Sequence, residues 1–584
     1  MKIDALKTAG LLAASAFSLL VAGCMGEYDL NDIDTTVEIK VNDLVVPVNL
    51  EAIALDSFIE LEENSTIKVV EYNGSRYYAI TESGSFGSDP VRIDAVRVSN
   101  PEMGSSSVSI STGSATVPAG IELTLPLPES DPTTFNFSTG AVDDKVKDIT
   151  MVGVSGLELT VDFTVTGADV LADKFSVSDR VLQVPQGLVC TADGSYNPST
   201  GRWEIPSLQM SGGHGTIRMN VTGLDLKDNG NIRFTSSGIV FEGETALLGG
   251  NVTFRSDAAA TLPAYVGFDL DFAMTPFSVT SVSGRVGYQI EGLDIAPVDL
   301  GDIPDFFAGG DCNVVLGNPQ LYLLASNPLA QDNINFSTGL TVTASRNSAP
   351  DYSYSLDNGE FTLGGSSPVQ SFVFAPSDDG LYVPEAFGTP EFVRFSGLSY
   401  ILGVPQGSEP AGFPDRLSFS LDNPRIPIQD VNGFALGRTI DGVSGQYELV
   451  APLCLGDGAV ISYSDDVTGL LGDLDDDLNI TGAAIIAKVA NGCPVSIELS
   501  AIAIDASGNE MTGIDVEGCT VAAASESDIA IELSGDIRNL DGLRFKAVMR
   551  AGKDAVPFSP DQTIEFKDLR IRIGGNYVVD FNED

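Results

Sequence analysis

The sequence predicts a mostly β protein, made of tandem antiparallel β-sandwich or open-barrel domains with little helix. Three observations carry that prediction. Apolar and polar residues alternate with a period of two in run after run, turn-forming residues stand between the runs, and helical periodicity is sparse. The clearest run places Leu157, Leu159, Val161, Phe163 and Val165 between Glu158, Thr160, Asp162 and Thr164. Val266, Phe268, Leu270, Phe272 and Met274 repeat the pattern. One-sided alternation belongs to antiparallel sheets with one wet face, because successive side chains point to opposite sides of a strand.

From the N-terminus, Lys2 and Lys7 precede an apolar stretch from Leu11 to Ala22, too short to cross a bilayer as a helix. It ends in Val21-Ala22-Gly23-Cys24. These four residues resemble a bacterial lipobox, which implies that residues 1–23 are a removable signal peptide and that Cys24 carries the lipid. Several acyl chains on one cysteine make a stable membrane anchor. Residues 24–34 then form an acidic tether with Glu27, Asp29, Asp32 and Asp34 and no base. The tether resembles the export signal of outer-membrane lipoproteins of Bacteroidota, which implies display at the cell surface in preference to a periplasm-facing position.

The remainder divides into four expected β domains, at 35–150, 151–300, 301–430 and 431–584. Val37/Ile39/Val41 begins the first, Ile217/Met219/Val221 lies in the second, and Leu417/Phe419/Leu421 and Ile529/Ile531/Leu533 lie in the third and fourth. Asn73-Gly74, Asn229-Gly230, Asn358-Gly359 and Ser507-Gly508 suit tight hairpins, which need residues tolerant of positive φ. Ser105–Ser114 reads as a Ser/Gly-rich break, and 344–370 as a linker or long loop. Short helix is expected only near Leu50–Leu61 and Ile303–Phe307.

Of 584 residues, 31 are Lys or Arg and 81 are Asp or Glu, a formal charge of −50. Such a surface repels phosphate backbones, so nucleic acid is excluded as a partner. Beyond Cys24, five cysteines remain: Cys190, Cys312, Cys454, Cys493 and Cys519. Cys493 and Cys519 flank what read as adjacent strands, where a disulfide and a pair of small buried hydrophobes are both open readings.

Chemistry-bearing motifs are few. His214 is the single histidine, so multi-histidine metal sites are excluded and any Ser-His-Asp arrangement depends on it. No Gly-x-Ser-x-Gly elbow, P-loop or dinucleotide fingerprint occurs. Ser65-Thr66-Ile67-Lys68 has Ser-x-x-Lys spacing, but in a β pattern where a helix start is needed. Asp473, Asp475 and Asp477 offer the alternate oxygens that suit calcium, without the glycine and glutamate of an EF-hand; a solvated acidic turn is the other reading. No other cofactor is expected. A single tryptophan, Trp203, gives little aromatic platform for sugars.

The sequence thus points to a non-enzymatic, lipid-anchored protein that binds or scaffolds at the outer membrane, presenting loops to a glycan or protein. The alternatives are a subunit of a fimbria-like assembly with Thr563–Phe581 as a donated strand, an elongated β lipid carrier, and a carboxylate-dependent glycosidase.

Overall fold

The computed structural model describes residues 37–47, 53–54, 66–72, 74–99, 101–291, 293–300, 312–347, 350–405, 407–409, 411–468, 478–535, 540–551 and 556–579. The mostly β class holds. Among the described residues the helical pieces are short 3₁₀ helices, such as Asp169–Lys174 and Ser396–Tyr400. Among the described residues pairing is antiparallel, except where Val369–Ala375 runs parallel to Glu391–Arg394. None of the described helices is long and apolar enough to cross a membrane.

The period-two runs lie where the sequence places them. Leu157 to Val165 sit on the 21-residue strand Val146–Thr166 with every apolar member buried, and Tyr265–Met274 pairs beside it, Phe163 opposite Leu270. This sheet packs on a second one, in which Gly238–Arg255 is flanked by Phe175–Gln183 and Thr133–Ser138. The interior between them is aromatic: Phe175 lies 5.1 Å from Phe254 and 6.0 Å, edge-on, from Phe268. Trp203 is fully buried there, its indole N–H donating to the Asp193 carbonyl at 2.6 Å.

One cation breaks this apolar core. Asp179, at φ 51°, makes a bulge in Phe175–Gln183 that turns Arg180 inward, opposite Gly250, whose missing Cβ leaves room for the Arg180 stem. The guanidinium lies 4.9 Å from the centre of the Phe163 ring, and none of its three nitrogens has a hydrogen-bond partner. Burial lowers its pKa to about 10.

A second region combines residues 66–98 with 294–455. Gln320–Ser326 lies between Val369–Ala375 and Ser444–Pro452, and Ser444–Pro452 pairs with Ser75–Gly87. Arg416–Ala435 joins it to the aromatic sandwich through Phe277–Gln289. A boundary at 150/151 therefore falls inside Val146–Thr166, and one at 430/431 inside Arg416–Ala435. Long strands that serve two neighbourhoods carry no break in composition, so nothing local marks the junction.

The third region is a sandwich of two smaller sheets. One runs Val37–Pro47, Thr563–Val579, Leu478–Asn491, Ser525–Gly535, Ile514–Glu517; the other runs Val460–Val467, Gly542–Ala551, Val495–Ile504, Cys519–Val521. The strand that opens the expected 35–150 domain thus belongs with the end of the chain. Thr563–Val579 is paired on both sides, by Val37–Pro47 and Leu478–Asn491, so within its own sheet it is an interior strand.

Several turn and linker expectations need correction. Gly74 does sit in a tight hairpin, at φ 77° with Tyr72 opposite Ser75, while Asn73 lies outside the described residues. Asn229-Gly230 joins strands that do not pair with each other; the Asn229 side chain instead ties its loop to the Gln186 and Asp225 carbonyls. Asn358-Gly359 likewise links two strands that both pair with Phe336–Ser345. Ser105–Ser111, read as a break, is a strand with Val108 and Ile110 buried, and the 344–370 stretch contains strands Tyr352–Ser355 and Phe361–Leu363. Serine and glycine lowered the apparent β content of both segments without removing the alternation. The expected helices near Leu50–Leu61 and Ile303–Phe307 fall almost wholly outside the described residues.

Candidate functional site

The sequence-predicted site residues do not converge. Val21, Ala22, Gly23, Cys24, Glu27, Asp29, Asp32 and Asp34 lie outside the described residues, as do Asp473, Asp475 and Asp477. Among the described residues no group of three or more His, Cys, Asp or Glu is placed to hold a metal. His214 is exposed at the start of strand His214–Asp225, its Nδ1 3.1 Å from the Thr164 hydroxyl. Lys68 is on strand Ile67–Tyr72, not on a helix.

The Cys493–Cys519 disulfide is not formed; both are free thiols. Cys519 pairs opposite Leu499, well inside strand Val495–Ile504, whereas Cys493 lies in the bend before that strand and its carbonyl accepts from the Ala524 N–H. A disulfide needs Cα atoms within about 7 Å. Burial pushes the Cys493 thiol up to about 11, which keeps it protonated and inert at neutral pH.

A different cluster brings aromatic rings, a buried cation and loops together. Strand Phe336–Ser345 carries the edge strand Tyr352–Ser355, with Tyr352 opposite Ala344 and Tyr354 opposite Val342. Paired residues in an antiparallel ladder share a face, so both tyrosines extend the buried Val342/Ala344 face beyond the sheet. On the other face Ser353 and Ser355 exchange hydroxyl hydrogen bonds with Thr343 at 2.8 Å and Thr341 at 2.7 Å, which fixes the register. Tyr400, at the end of the 3₁₀ turn Ser396–Tyr400, lies 6.1 Å from Tyr354 between ring centres.

Arg346 holds this arrangement in place. Its guanidinium donates to the carbonyls of Gly412 at 3.0 Å, Gly403 at 3.0 Å and Ala344 at 3.4 Å, bolting the chain on both sides of residues 404–411 to strand Phe336–Ser345. It also lies 5.5 Å from the centre of the Tyr352 ring. Its hydrogen-bonding capacity is turned to backbone, so it positions the loop and leaves recognition to other groups. The Tyr354 hydroxyl, by contrast, is buried and has no partner. Burial, partly offset by Arg346, pushes its pKa up to about 12, so it remains a neutral donor and acceptor. An unmet buried hydroxyl costs about 1–3 kcal/mol, so a group that reached it would be bound the more tightly.

Acids and amides surround the rings. Asp351 accepts from the Ser345 hydroxyl at 3.1 Å, and Asp357 from the Ser396 hydroxyl at 2.7 Å and backbone N–H at 3.0 Å. Asp415 caps the Asn347 N–H at 2.6 Å. Half-buried rings with an apolar face and a polar tip, bordered by exposed carboxylates, suit a ligand with both C–H faces and hydroxyls. Sequence reasoning passed over the cluster because residues 344–370 read as a linker. The signal was the tyrosine–serine alternation at 352–355, a short strand pattern.

Other groups offer less. Burial, and no neighbouring charge, pushes the Glu448 carboxyl up. An open depression of about 410 Å³ on the C-terminal sheet has a floor of Gly482, Ala484 and Gly574 with Glu517, Glu532 and Arg572 around it.

No protein-family model and no curated protein matches the chain. Among solved structures, a Parabacteroides distasonis protein described as secreted is 15% identical, with 50% of this chain and 89% of that one covered at a TM-score of 0.35. A structure of the triple jelly roll fold and turret assembly in an archaeal virus is 11% identical, with 83% and 91% covered at a TM-score of 0.11.

Proposed function

We propose that this chain is a lipid-anchored outer-membrane protein that faces the cell exterior and binds a neutral glycan, without catalysis, at the Tyr352/Tyr354/Tyr400 cluster. The supporting observation is the cluster itself: three tyrosines beside an arginine whose three nitrogens each donate to a backbone carbonyl, around a hydroxyl that has no partner in the chain. The formal charge of −50 disfavours uronic, sialylated or phosphorylated ligands, which leaves neutral sugars as the class that pays no electrostatic penalty. The anchor and the surface position rest on the lipobox at Val21–Cys24 and the acidic tether after it.

Two measurements test this. Binding to a panel of neutral and acidic glycans is expected to give neutral ligands that lose about tenfold or more in affinity with Tyr352→Ala or Tyr400→Ala. Tyr354→Phe is expected to weaken binding while leaving thermal stability equal or higher, because the hydroxyl has no partner in the free protein. A wild-type protein that binds no glycan, or binds equally after both alanine changes, refutes the site. Protease treatment of intact cells is expected to remove a C-terminal tag, and Cys24→Ala to release the protein from the membrane.

A further inference from the structure

The two ends of the described chain meet. Val37 pairs with Val579, Val41 with Gly575 and Pro47 with Arg570, after a register shift between Val41 and Leu44. Further along, Ile53 pairs with Ile564 and Ala54 with Thr563. Residues 37–47 and 53–54 therefore both pair with the strand Thr563–Val579, antiparallel to it. Val37–Pro47 has no other strand partner among the described residues, and it stands at the edge of its sheet. The other side of Thr563–Val579 is taken by Leu478–Asn491.

The neighbours of this C-terminal sandwich are equally specific. Asn313 and Val460 exchange backbone hydrogen bonds at 2.7 and 2.9 Å, Phe558 accepts from the Tyr78 N–H and donates to the Leu453 carbonyl, each at 2.9 Å, and Arg76 reaches Asp561 at 3.4 Å. Every one of these partners belongs to the region 66–98 plus 294–455. That region in turn shares strands with the aromatic sandwich, through Phe277–Gln289 against Arg416–Ala435. The order of contact is C-terminal sandwich, then the 66–98/294–455 region, then the sandwich of residues 105–289.

We infer that Val37–Pro47 is a clasp strand, which fastens the anchored end of the chain onto its last strand and so makes the C-terminal sandwich the membrane-side module. The order of modules outward from the membrane is then the reverse of what sequence order suggests: the last-made sandwich sits nearest the anchor, and the 105–289 sandwich is the far end. The strand after the tether also cannot find its partner until residues 563–579 exist, so the clasp closes last, as a pairing of very high sequence separation. The membrane-side placement rests on the lipid-anchor reading; the clasp does not.

The test uses the full-length, lipidated protein with a protease site inserted beside Gly407 in the exposed 407–409 loop. Lys40→Cys with Asn576→Cys places two thiols at paired positions, and Ile39→Cys with Tyr577→Cys repeats the test one pair along the ladder, where the hydrogen-bonding geometry alternates. After mild oxidation and cleavage, the two halves are expected to stay joined on a denaturing gel in at least one double variant, and to separate in each single variant. Separation in both double variants, in protein that still resists protease elsewhere, overturns the clasp. For placement, a donor dye at Ser534→Cys is expected to transfer to a membrane-surface acceptor several-fold more efficiently than one at Val170→Cys, whose side chain projects from the 105–289 sandwich. Equal transfer, or the reverse order, overturns the membrane-side assignment. If the wild-type protein fails to fractionate with membranes, the anchor reading fails by itself, and the crosslink still decides the clasp.

Discussion

The sandwich of residues 105–289 and the C-terminal sandwich share an architecture and differ in what fills and edges them. The first is packed with Phe163, Phe175, Phe241, Phe254, Phe268 and Trp203, all fully or almost fully buried. The second encloses two small clusters, one around Ala501, Ala503, Leu533 and Leu543, the other around Ala487, Val489, Val521 and Ile529. Its exposed faces carry cross-strand ion pairs: Lys567 and Lys488 flank Glu526 at 3.0 and 3.2 Å, and Arg544 grips Asp466 with two hydrogen bonds at 2.8 and 3.0 Å. Burial is non-directional and scales with apolar area, so large rings stabilise the first sandwich over a wide range of conditions. Alanine and valine bury less per residue, so the second depends more on register and hydrogen bonds.

The largest expected effect that separates the two is Phe268→Ala. Removing a ring buried between sheets should cost about 3–5 kcal/mol and raise hydrogen exchange in residues 105–289 well before the C-terminal strands. Equal loosening of both regions would show that they unfold as one unit. Arg180→Met should act in the opposite direction. It exchanges an unpartnered buried cation for an apolar side chain of similar length, and a gain of about 1–4 kcal/mol is expected by thermal or denaturant melting. A loss would mean that the guanidinium meets an acceptor the chain does not supply.

Asn491→Ala sharpens the comparison from the C-terminal side. The buried amide donates to the Val495 carbonyl at 2.8 Å and the Ala522 carbonyl at 3.0 Å, and accepts from the Cys493 N–H at 2.9 Å. Orphaning these groups should cost about 1–3 kcal/mol, localised to 478–535 by hydrogen exchange. The smallest effect is acid sensitivity. Hydrogen bonds from Arg544 hold the Asp466 carboxyl below its ordinary value, Lys567 and Lys488 do the same for Glu526, and Asn509 and Ser507 for Asp505. Carboxyls depressed in the folded state stabilise it above their ordinary range near ~4, and that contribution fades as pH falls through the lowered values. Melts between pH 7 and 3 should therefore show the C-terminal sandwich weakening first below about pH 4, with Arg544→Met reducing the difference.

Legibility followed the range of the interactions. The alternations at 157–165, 266–274 and 529–533 were readable because a strand's two faces are written in neighbouring residues, and all of those apolar side chains are buried. The hairpin at Gly74 was readable for the same reason. Asn229-Gly230 was misread because its dipeptide chemistry is identical, while the strands it joins go to different sheets. At the candidate site, Tyr352 and Tyr354 were visible as residues, but Tyr400 and Arg346 become their neighbours only through folding.

By itself, then, the sequence determined the all-β class, the inward faces of the long strands, the strongly negative formal charge, and the lipobox resemblance at Cys24. Tertiary structure alone decided that residue 37 pairs with residue 579, that Cys493 and Cys519 stand apart, that Arg180 lies inside an apolar core, and that Arg346 draws tyrosines from separate segments together. The physical reason is one of distance along the chain. Side-chain alternation and turn chemistry act over a few residues and leave a local imprint, whereas strand partners and loop neighbours are chosen by which surfaces can be buried together, and no short window of sequence records that choice.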